Sequence, residues 1–576
     1  MNAERLLALY DRVADAPGAV SRLRRFVLDL AVRGKLVEQD SGDEPASVLL
    51  ERIAAEKARL VKAKAIRKPK SVPPLEPGDL PFPLPRGWVW TQIAQLGVIS
   101  PRNDVDDGLT TSFVPMPMIS AEYGVSNTHE PRPWVEIKKG YTHFAEGDVG
   151  LAKITPCFEN GKSTIFENLT GGLGAGTTEL HIVRPLYVNA RYLVLFLKSP
   201  SFIEAGIPRM TGTAGQKRVP TEYFTGSPFP LPPLAGQDRI VTRVEELMAL
   251  LNRLEAARAA REAARDRLSA ASLARLTATD TAEEGVPVHA RFALDALPAL
   301  AIRPDQLKSL RETILNLAVR GKLVEQDSAD EPASVLLRRI LAAKAAAKKE
   351  TGDARIKSAP MSATDELSTN MPAGWVVGSF ENIFLFIDYR GKTPAKTTEG
   401  IPLITAKNVK MGVLNRDPQE FIAATTFKNW MTRGFPRLGD LFFTTEAPLA
   451  NVCTNEIQEP FALAQRVICL QPYLEMDTRY LMFAVMSDVM QRLISRESTG
   501  MTAKGIKAAK LKLLPIPLPP LAEQHRIVAK VDALMALCDR LEAALHEADT
   551  TRARLLDALI HEALSSTAID THEAAA

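Results

Sequence analysis

Apolar residues recur at alternating steps of four and three along the last part of the chain, with Arg552 as the single interruption. These positions are Ile527, Val531, Leu534, Cys538, Leu541, Leu545, Ala548, Leu555 and Leu559. Such a period predicts an α-helix with a coiled-coil seam. The same spacing starts at Ile240 and continues to Leu254, after which the sequence is rich in Ala and Arg. We therefore predict two long helices, over residues 233–276 and 520–566.

Shorter amphipathic segments lie near the N-terminus and again near the middle of the chain. Gly34 and Gly321 follow two of these segments and are predicted to end their helices. Pro45 and Pro332 then stand at the start of a further predicted helix in each place. Polar, proline-bearing stretches after these helices have the composition of linkers.

Two regions between the helical parts have a different pattern. They contain short β-rich runs such as FVPMPMIS, IPLITAKNV, DLFFTTEA and RVICLQP, separated by glycine-containing turns. Each region also has one apolar helical patch, YLVLFLKSPSF in the first and YLMFAVMSDVMQRLI in the second. This mixture predicts α+β globular domains.

The chain is an internal duplication. Trp88 and Trp375 are 287 residues apart, and so are Pro228 and Pro515 in the two PLPPLA tracts. The flanks of the repeat match, whereas the middle sequences differ. We predict these segments: an N-terminal helical repeat and linker, 1–85; a first variable domain, 86–232; helix 233–276; a central linker and helical repeat, 277–372; a second variable domain, 373–519; helix 520–566; and a tail, 567–576.

Composition excludes several classes of protein. The chain has 576 residues, of which 46% are hydrophobic and 24% charged, as in ordinary globular proteins with more than one core. No apolar stretch of about 18 residues and no signal peptide is visible, so we expect a cytoplasmic protein without a membrane partner. The 71 basic and 68 acidic residues nearly balance, so any basic surface must be local. The four cysteines lack metal-binding spacing and are expected to be reduced thiols.

Catalytic motifs are not recognisable. The GGLGAGTT stretch at 171–178 imitates a nucleotide loop, but its flanks favour a turn or loop. Glu136 and Lys138 have the ExK spacing of some nucleases, and a solvent-facing strand explains them better. The histidines are scattered without metal-binding spacing. We expect no catalytic residue, no metal site and no cofactor in this chain.

Polar and basic residues beside glycines form the candidate site. Lysine ammonium groups and backbone N–H groups suit phosphates, while Arg, Asn and Gln can pair with base edges. The candidates in the first variable domain are Lys153, Thr155, Thr211, Thr213, Gln216, Lys217 and Arg218. Those in the second are Arg390, Lys392, Thr393, Lys407, Asn408, Lys410, Thr499, Thr502, Lys504 and Lys507. Each alone is typical of a solvated surface; together they are as typical of a DNA interface as of a solvated surface.

Two variable domains, each followed by a PLPPLA tract and a long heptad helix, resemble the specificity subunit of type I restriction-modification enzymes. The resemblance covers nearly the whole chain, and the LAVRGKLVEQD and DEPAS repeats resemble the subgroup with longer subunits. It implies two target recognition domains held apart by long antiparallel coiled-coil helices in a pseudo-two-fold arrangement. Each domain would bind one half of a split sequence in double-stranded DNA.

The same resemblance implies the partners. Two modification subunits would carry S-adenosylmethionine and the methyltransferase chemistry, and restriction subunits would use ATP and Mg for translocation and cleavage. One departure is Gly236, which stands where the second copy has Glu523. Two alternatives stay open: a structural coiled-coil scaffold without base-specific readout, and a self-contained modification enzyme, which would need motifs that are absent from the sequence.

Overall fold

The computed structural model describes residues 15–213, 215–277, 303–352, 356, 371–389, 394–500 and 504–565. The chain divides into two compact units. Unit 1 comprises Met1–Ala260 and Ala548–Ala576, and unit 2 comprises Arg261–Glu547. The C-terminal segment therefore belongs to the same unit as the N-terminus.

Among the described residues, unit 1 has two α-helices before its β-rich region and four short or medium α-helices within it. The helices are α1 (Ala19–Val32), α2 (Ala46–Lys62), α3 (Trp134–Ile137), α4 (Ala190–Lys198), α5 (Pro200–Gly206), α6 (Thr221–Gly226) and the long α7 (Leu234–Thr277), which continues into unit 2. The strands are β1 (Val89–Gln92), β2 (Gly97–Ile99), β3 (Thr110–Val114), β4 (Glu130–Pro133), β5 (Thr142–Ala145), β6 (Val149–Ala152), β7 (Ser163–Ile165), β8 (Leu173–Gly176), β9 (Leu180–Pro185) and β10 (Pro228–Leu231).

Unit 2 repeats this element order closely. Its helices are α8 (Pro304–Val319), α9 (Ala333–Thr351), α10 (Phe380–Ile383), α11 (Ala424–Trp430), α12 (Thr478–Met486), α13 (Asp488–Glu497), α14 (Ala508–Leu513) and α15 (Leu521–Ser565), which ends in unit 1. Its strands are β11 (Val376–Ser379), β12 (Phe384–Asp388), β13 (Lys396–Thr397), β14 (Ile401–Ile404), β15 (Phe421–Ile422), β16 (Leu441–Thr444), β17 (Val452–Thr454), β18 (Ala462–Leu463), β19 (Val467–Pro472) and β20 (Pro515–Leu518).

The two variable regions have similar sheets despite their unlike sequences, although the second sheets differ in one edge strand. Unit 1 contains the sheets β2-β9-β6-β7 and β4-β3-β8-β5, and unit 2 contains β12-β19-β16-β17 and β13-β15-β14-β18. The first sheet of each pair is antiparallel throughout. The second sheet of each pair has one parallel pairing, β3 with β8 and β14 with β18. The predicted α+β class is confirmed.

Each unit closes the base of its variable region with a strand pair that the sequence analysis did not predict. The strand after the tryptophan that both copies share runs antiparallel to the proline-rich strand before the long helix, as β1 with β10 and β11 with β20. Tyr192 Oη donates to Pro230 O at 2.8 Å, and Tyr480 Oη donates to Pro517 O at 3.0 Å. The proline carbonyls thus satisfy two fully buried tyrosine hydroxyls.

The long helices α7 and α15 begin in different units. The start of α7 and the end of α15 share the core of unit 1, where Val244 and Leu251 are buried in the same cluster as Leu556 and Leu559. The start of α15 belongs to the core of unit 2 through Ile527, Val531 and Cys538. The predicted heptad positions Ile527, Val531 and Cys538 are thus buried in unit 2, and Leu559 is buried in unit 1.

Glycines end the first helix of each repeat, as predicted. Gly34 and Gly321 have φ angles of 67° and 66°, which L-residues with a Cβ adopt poorly. The amide of Lys35 donates to Leu30 O at 2.9 Å, and the amide of Lys322 donates to Leu317 O at 3.0 Å, closing the last helical turn. The following helices start directly after Pro45 and Pro332.

Two local predictions are wrong. Residues 173–176 of the glycine-rich stretch form strand β8 and not a loop, because Gly174 and Gly176 let it lie against β3. A Cβ at these positions would be 2.0 Å from Ser112 O and 2.2 Å from Val114 O. The segment around Glu136 is helix α3 and not a strand; burial of Trp134 and Ile137 on one side of its single turn overrides the β propensity of the sequence.

Candidate nucleic-acid interface

Two loops of the first variable region cross next to strand β6. The loop that includes Thr211 and Arg218 is a hairpin, in which Arg218 N donates to Thr211 O at 2.8 Å and Thr211 N donates to Arg218 O at 3.0 Å. The loop after β6 joins it, because Thr155 N donates to Lys217 O at 2.9 Å. The chain after the hairpin also returns to Lys153, whose carbonyl accepts from Val219 N at 2.7 Å. The sequence-predicted residues of this region therefore converge at one place.

The side chains of this cluster differ in their solvent exposure and in their contacts within the protein. Thr211, Thr213, Gln216 and Lys217 are exposed, and Lys153 and Thr155 are half-buried. Arg218 is held by Glu179, with its Nε 2.9 Å from one carboxylate oxygen and its Nη2 2.8 Å from the other. This hydrogen-bonded cation lowers the pKa of Glu179. The ion pair of Arg218 with Glu179 therefore holds the hairpin in place, while the neighbouring Gln216 and Lys217 expose hydrogen-bond donors to solvent.

The second variable region has a matching crossing. Thr499 and Gly505 exchange two backbone hydrogen bonds of 2.9 Å, and Ile506 N donates to Thr445 O at 3.0 Å. This last bond corresponds to the bond from Val219 to Lys153 in the first region. A cis peptide bond precedes a proline in both crossing loops, at Pro156 and Pro448.

Exposed side chains at the second crossing include Thr499, Lys504 and Lys507. At the position of Arg218, the second hairpin has Gly505, so no side chain ties it to a carboxylate there. The two crossings thus share a backbone frame and differ in the side chains that they present.

A separate turn of the second region includes Lys407, Asn408 and Lys410. Both lysines are exposed, but Asn408 is only 1% exposed. Its Oδ1 accepts from Thr405 N at 2.9 Å and from the Thr405 hydroxyl at 2.8 Å. Its Nδ2 donates to the carbonyls of Asn415 and Pro418 at 3.0 and 3.1 Å. Asn408 therefore braces the turn on which the two lysines stand, a role that the sequence analysis missed.

Four predicted site residues, Arg390, Lys392, Thr393 and Thr502, lie outside the described residues, so their contribution stays a prediction. The DNA role of the other candidates also stays a prediction. Within the described ranges, no group of three or more His, Cys, Asp or Glu side chains is placed to hold a metal ion. None of the helices in these ranges has the length and apolar content to cross a bilayer.

Comparisons with known proteins identify the family. The family profile described as "Type I restriction modification DNA specificity domain" matches residues 373–548. The chain is 39% identical to the type I restriction enzyme EcoAI specificity subunit of Escherichia coli, over 95% of this chain and 94% of that protein. It belongs to the type I restriction enzyme specificity subunits. The EcoEI specificity subunit of Escherichia coli is 37% identical over the same shares of the two chains.

Among solved structures, the crystal structure of the HsdS subunit from Thermoanaerobacter tengcongensis is similar to this specificity subunit. The two chains are 18% identical, with a TM-score of 0.46, over 84% of this chain and 98% of that one.

One sequence signal for the shared frame of this specificity subunit was overlooked. Gly147-Asp148 in unit 1 and Gly439-Asp440 in unit 2 each precede the central strand, β6 or β16. Both glycines have positive φ angles, 80° and 85°. These pairs are 292 residues apart and not 287, so a search at a single fixed shift passes over them. Allowing for insertions within the variable regions would have aligned them.

Burial shapes the chemistry of these two aspartates. Asp148 accepts from Ala145 N at 2.8 Å and Asp440 from Arg437 N at 2.6 Å, in the same turn. Desolvation raises the pKa of both carboxyls, although Arg184 opposes this effect at Asp148. They hold the turns that start the central strands and are not exposed to a ligand.

Proposed function

We propose that this specificity subunit reads a bipartite DNA target, with one variable region for each half-site. The observation that supports this most directly is the pair of crossing loops with one backbone frame and different exposed side chains. Gln216 and Lys217 stand on the first hairpin, and Lys504 stands on the second. Equivalent frames with unlike side chains are suited to reading unlike base sequences in the same geometry.

The proposed role of the repeated helices α1, α7, α8 and α15 is to hold partner subunits at two equivalent surfaces. Arg24 Nη2 is 2.6 Å from Glu255, and its counterpart Arg311 is 2.8 Å from Glu542. Similarly, Arg239 pairs with Asp43 at 2.5 Å and Arg526 with Asp330 at 2.7 Å. The first two ion pairs join α1 to α7 and α8 to α15. The other two join α7 and α15 to the loops that precede α2 and α9. Two identical modification subunits could therefore dock in the same manner, and restriction subunits would join this assembly.

We propose that the specificity subunit has no catalytic activity of its own. S-adenosylmethionine, ATP and Mg would be held by the modification and restriction subunits. The test is methyl transfer from labelled S-adenosylmethionine to duplex DNA, with the purified chain alone and with its modification subunits. We expect activity only in the second case. Methylation by the chain alone would contradict the proposal.

Modular readout can be tested by exchanging one region. Residues 86–227 are replaced by the corresponding region of another specificity subunit, and the methylated adenines are mapped in a host that expresses the complex. One half of the methylated sequence should change while the other half stays the same. Loss of both halves in an assembled complex would refute independent half-site readout.

The alternative of a structural scaffold is separated from a DNA reader by a binding experiment. The complex with modification subunits is titrated with its mapped target and with a scrambled duplex over a series of salt concentrations. A scaffold would show no preference between the two. Lys504→Ala should weaken binding to both duplexes and lower the salt slope by about 0.9 if it contacts one phosphate. Lys510→Ala is the matched control, since Lys510 already pairs with Glu497 at 2.9 Å.

A further inference from the structure

The segments before the two central strands correspond to each other but are built differently. The Gly-Asp turns fix the alignment, so the segment before Asp440 is the counterpart of the segment before Asp148. In unit 1 that segment is strand β5, which pairs with β8 and buries Phe144 completely. In unit 2 the counterpart, Thr432–Leu438, contains no strand. We refer to Thr432–Leu438 as the 432–438 loop.

This loop presents large apolar side chains to solvent. Phe435 is 55% exposed and Leu438 is 62% exposed, which places them among the most exposed large apolar residues described in the chain. The ring of Phe435 contacts that of Phe427, with centroids 5.9 Å apart. Two large apolar side chains exposed on one loop make that loop a candidate interaction site.

The conformation of the loop is fixed from within the domain. Tyr389 Oη donates to Gly434 O at 2.8 Å and accepts from Arg433 N at 3.1 Å. Asn455 Nδ2 donates to Arg437 O at 2.8 Å. The Arg433 guanidinium also donates to the carbonyl of Asp388. Because both ends of the loop are held, the exposed side chains are presented without a large ordering cost on binding.

The charge around the loop indicates the kind of partner. Residues 424–439 contain three cations, Lys428, Arg433 and Arg437, and no acidic residue. All three lie on the exposed surface, whereas the nearest acidic side chain along the chain, Asp440, is 4% exposed. A loop with exposed apolar side chains and exposed cations complements a nucleic-acid groove, where phosphates flank apolar base surfaces.

We propose that the 432–438 loop is a DNA contact of the second half-site, in which Phe435 and Leu438 pack on bases while Arg437 and Lys428 meet the flanking phosphates. The inference rests on the proposed function, because it assumes that unit 2 binds duplex DNA. It adds a contact that the lysine- and threonine-bearing loops do not supply. The first region lacks it, since β5 occupies the corresponding segment.

The salt dependence of binding tests this assignment. A contact to bases through apolar groups releases no condensed counterions, whereas a phosphate contact does. The full chain with its modification subunits is titrated with the mapped target duplex between low and moderate salt. Phe435→Ala/Leu438→Ala should weaken binding roughly tenfold at every salt concentration, with an unchanged slope of log K against log salt. Arg437→Gln should instead lower the slope by about 0.9.

Matched variants separate this contact from a folding defect. Phe435→Leu keeps an apolar side chain and should retain most of the affinity. Leu513→Ala removes a 45% exposed leucine of α14, outside the loop, and should bind as the wild type does. Unchanged affinity of the double variant for the target would overturn the loop contact, provided that the wild type still prefers the target. If the wild type shows no preference for its target, the proposed function itself fails.

Discussion

Helices α7 and α15 each pass from one unit to the other, so we predict that their length sets the distance between the two proposed half-sites. The unit boundary lies between Ala260 and Arg261 in α7 and between Glu547 and Ala548 in α15. Ala260, Arg261 and Glu547 are exposed, so an insertion there adds length without burying new side chains. We propose inserting four helix-forming residues at both boundaries.

The expected change follows from helix geometry. Four residues lengthen a helix by about 6 Å, which corresponds to roughly two base pairs of about 3.4 Å each. Four is also an insertion that coiled coils tolerate by local unwinding, so the seam should survive. The unspecified spacer of the methylated sequence should therefore grow by about one or two base pairs, the smaller value applying if the helices run oblique to the DNA axis.

The assay is methylome mapping of a host that expresses the insertion variant with its modification subunits. Both half-sites should keep their base sequences while the distance between them increases. A control variant has the same four residues inserted after residue 285, outside α7 and α8, and should keep the original spacing. An active double-insertion variant that methylates both half-sites at their original separation would refute the idea that the helices set the spacing.

Three further predictions concern single residues. Asn408→Ala should lower the free energy of unfolding of unit 2 by about 1–3 kcal/mol, because the four hydrogen bonds of this 1% exposed side chain are lost. Unchanged thermal unfolding with altered base preference would instead favour direct base reading by Asn408. Gly236→Ala should stabilise unit 1 by about 0.5–1 kcal/mol and raise its melting temperature, because helix α7 loses a glycine, and the nearest atom to the added Cβ, in Pro232, is 3.6 Å away. Burial raises the pKa of Glu523, which accepts from Trp375 Nε1 at 2.9 Å, so its contribution to stability is largest below its ordinary pKa of 4.5 and is lost as pH rises through the folded value. Denaturant titrations should show wild type losing stability relative to Glu523→Gln as the pH rises above 4.5; a difference that is constant or grows in favour of wild type would contradict this.

Local periodicity was enough to predict the long helices and the repeat. A heptad repeat specifies both the helix and its buried face, and the structure buries Ile527 and Val531 at the predicted positions. Glycines with positive φ end α1 and α8, because that requirement is a property of single residues. The family resemblance also followed from these repeated features, and the comparisons confirm it.

Only the tertiary structure decided which loops meet and what each side chain does there. The hydroxyl of Thr155 lies 3.2 Å from the carbonyl of Lys217, a residue 62 positions away, and no local pattern encodes such a pairing. The fold also turned Gly174 into a strand residue, because a neighbouring strand leaves no room for a Cβ. The fold also buries Asn408, whose side chain hydrogen-bonds within its own turn, and leaves Phe435 exposed on a loop. Sequence periodicity fixes helices and the faces they bury, whereas long-range packing determines which polar and aromatic side chains remain available to DNA.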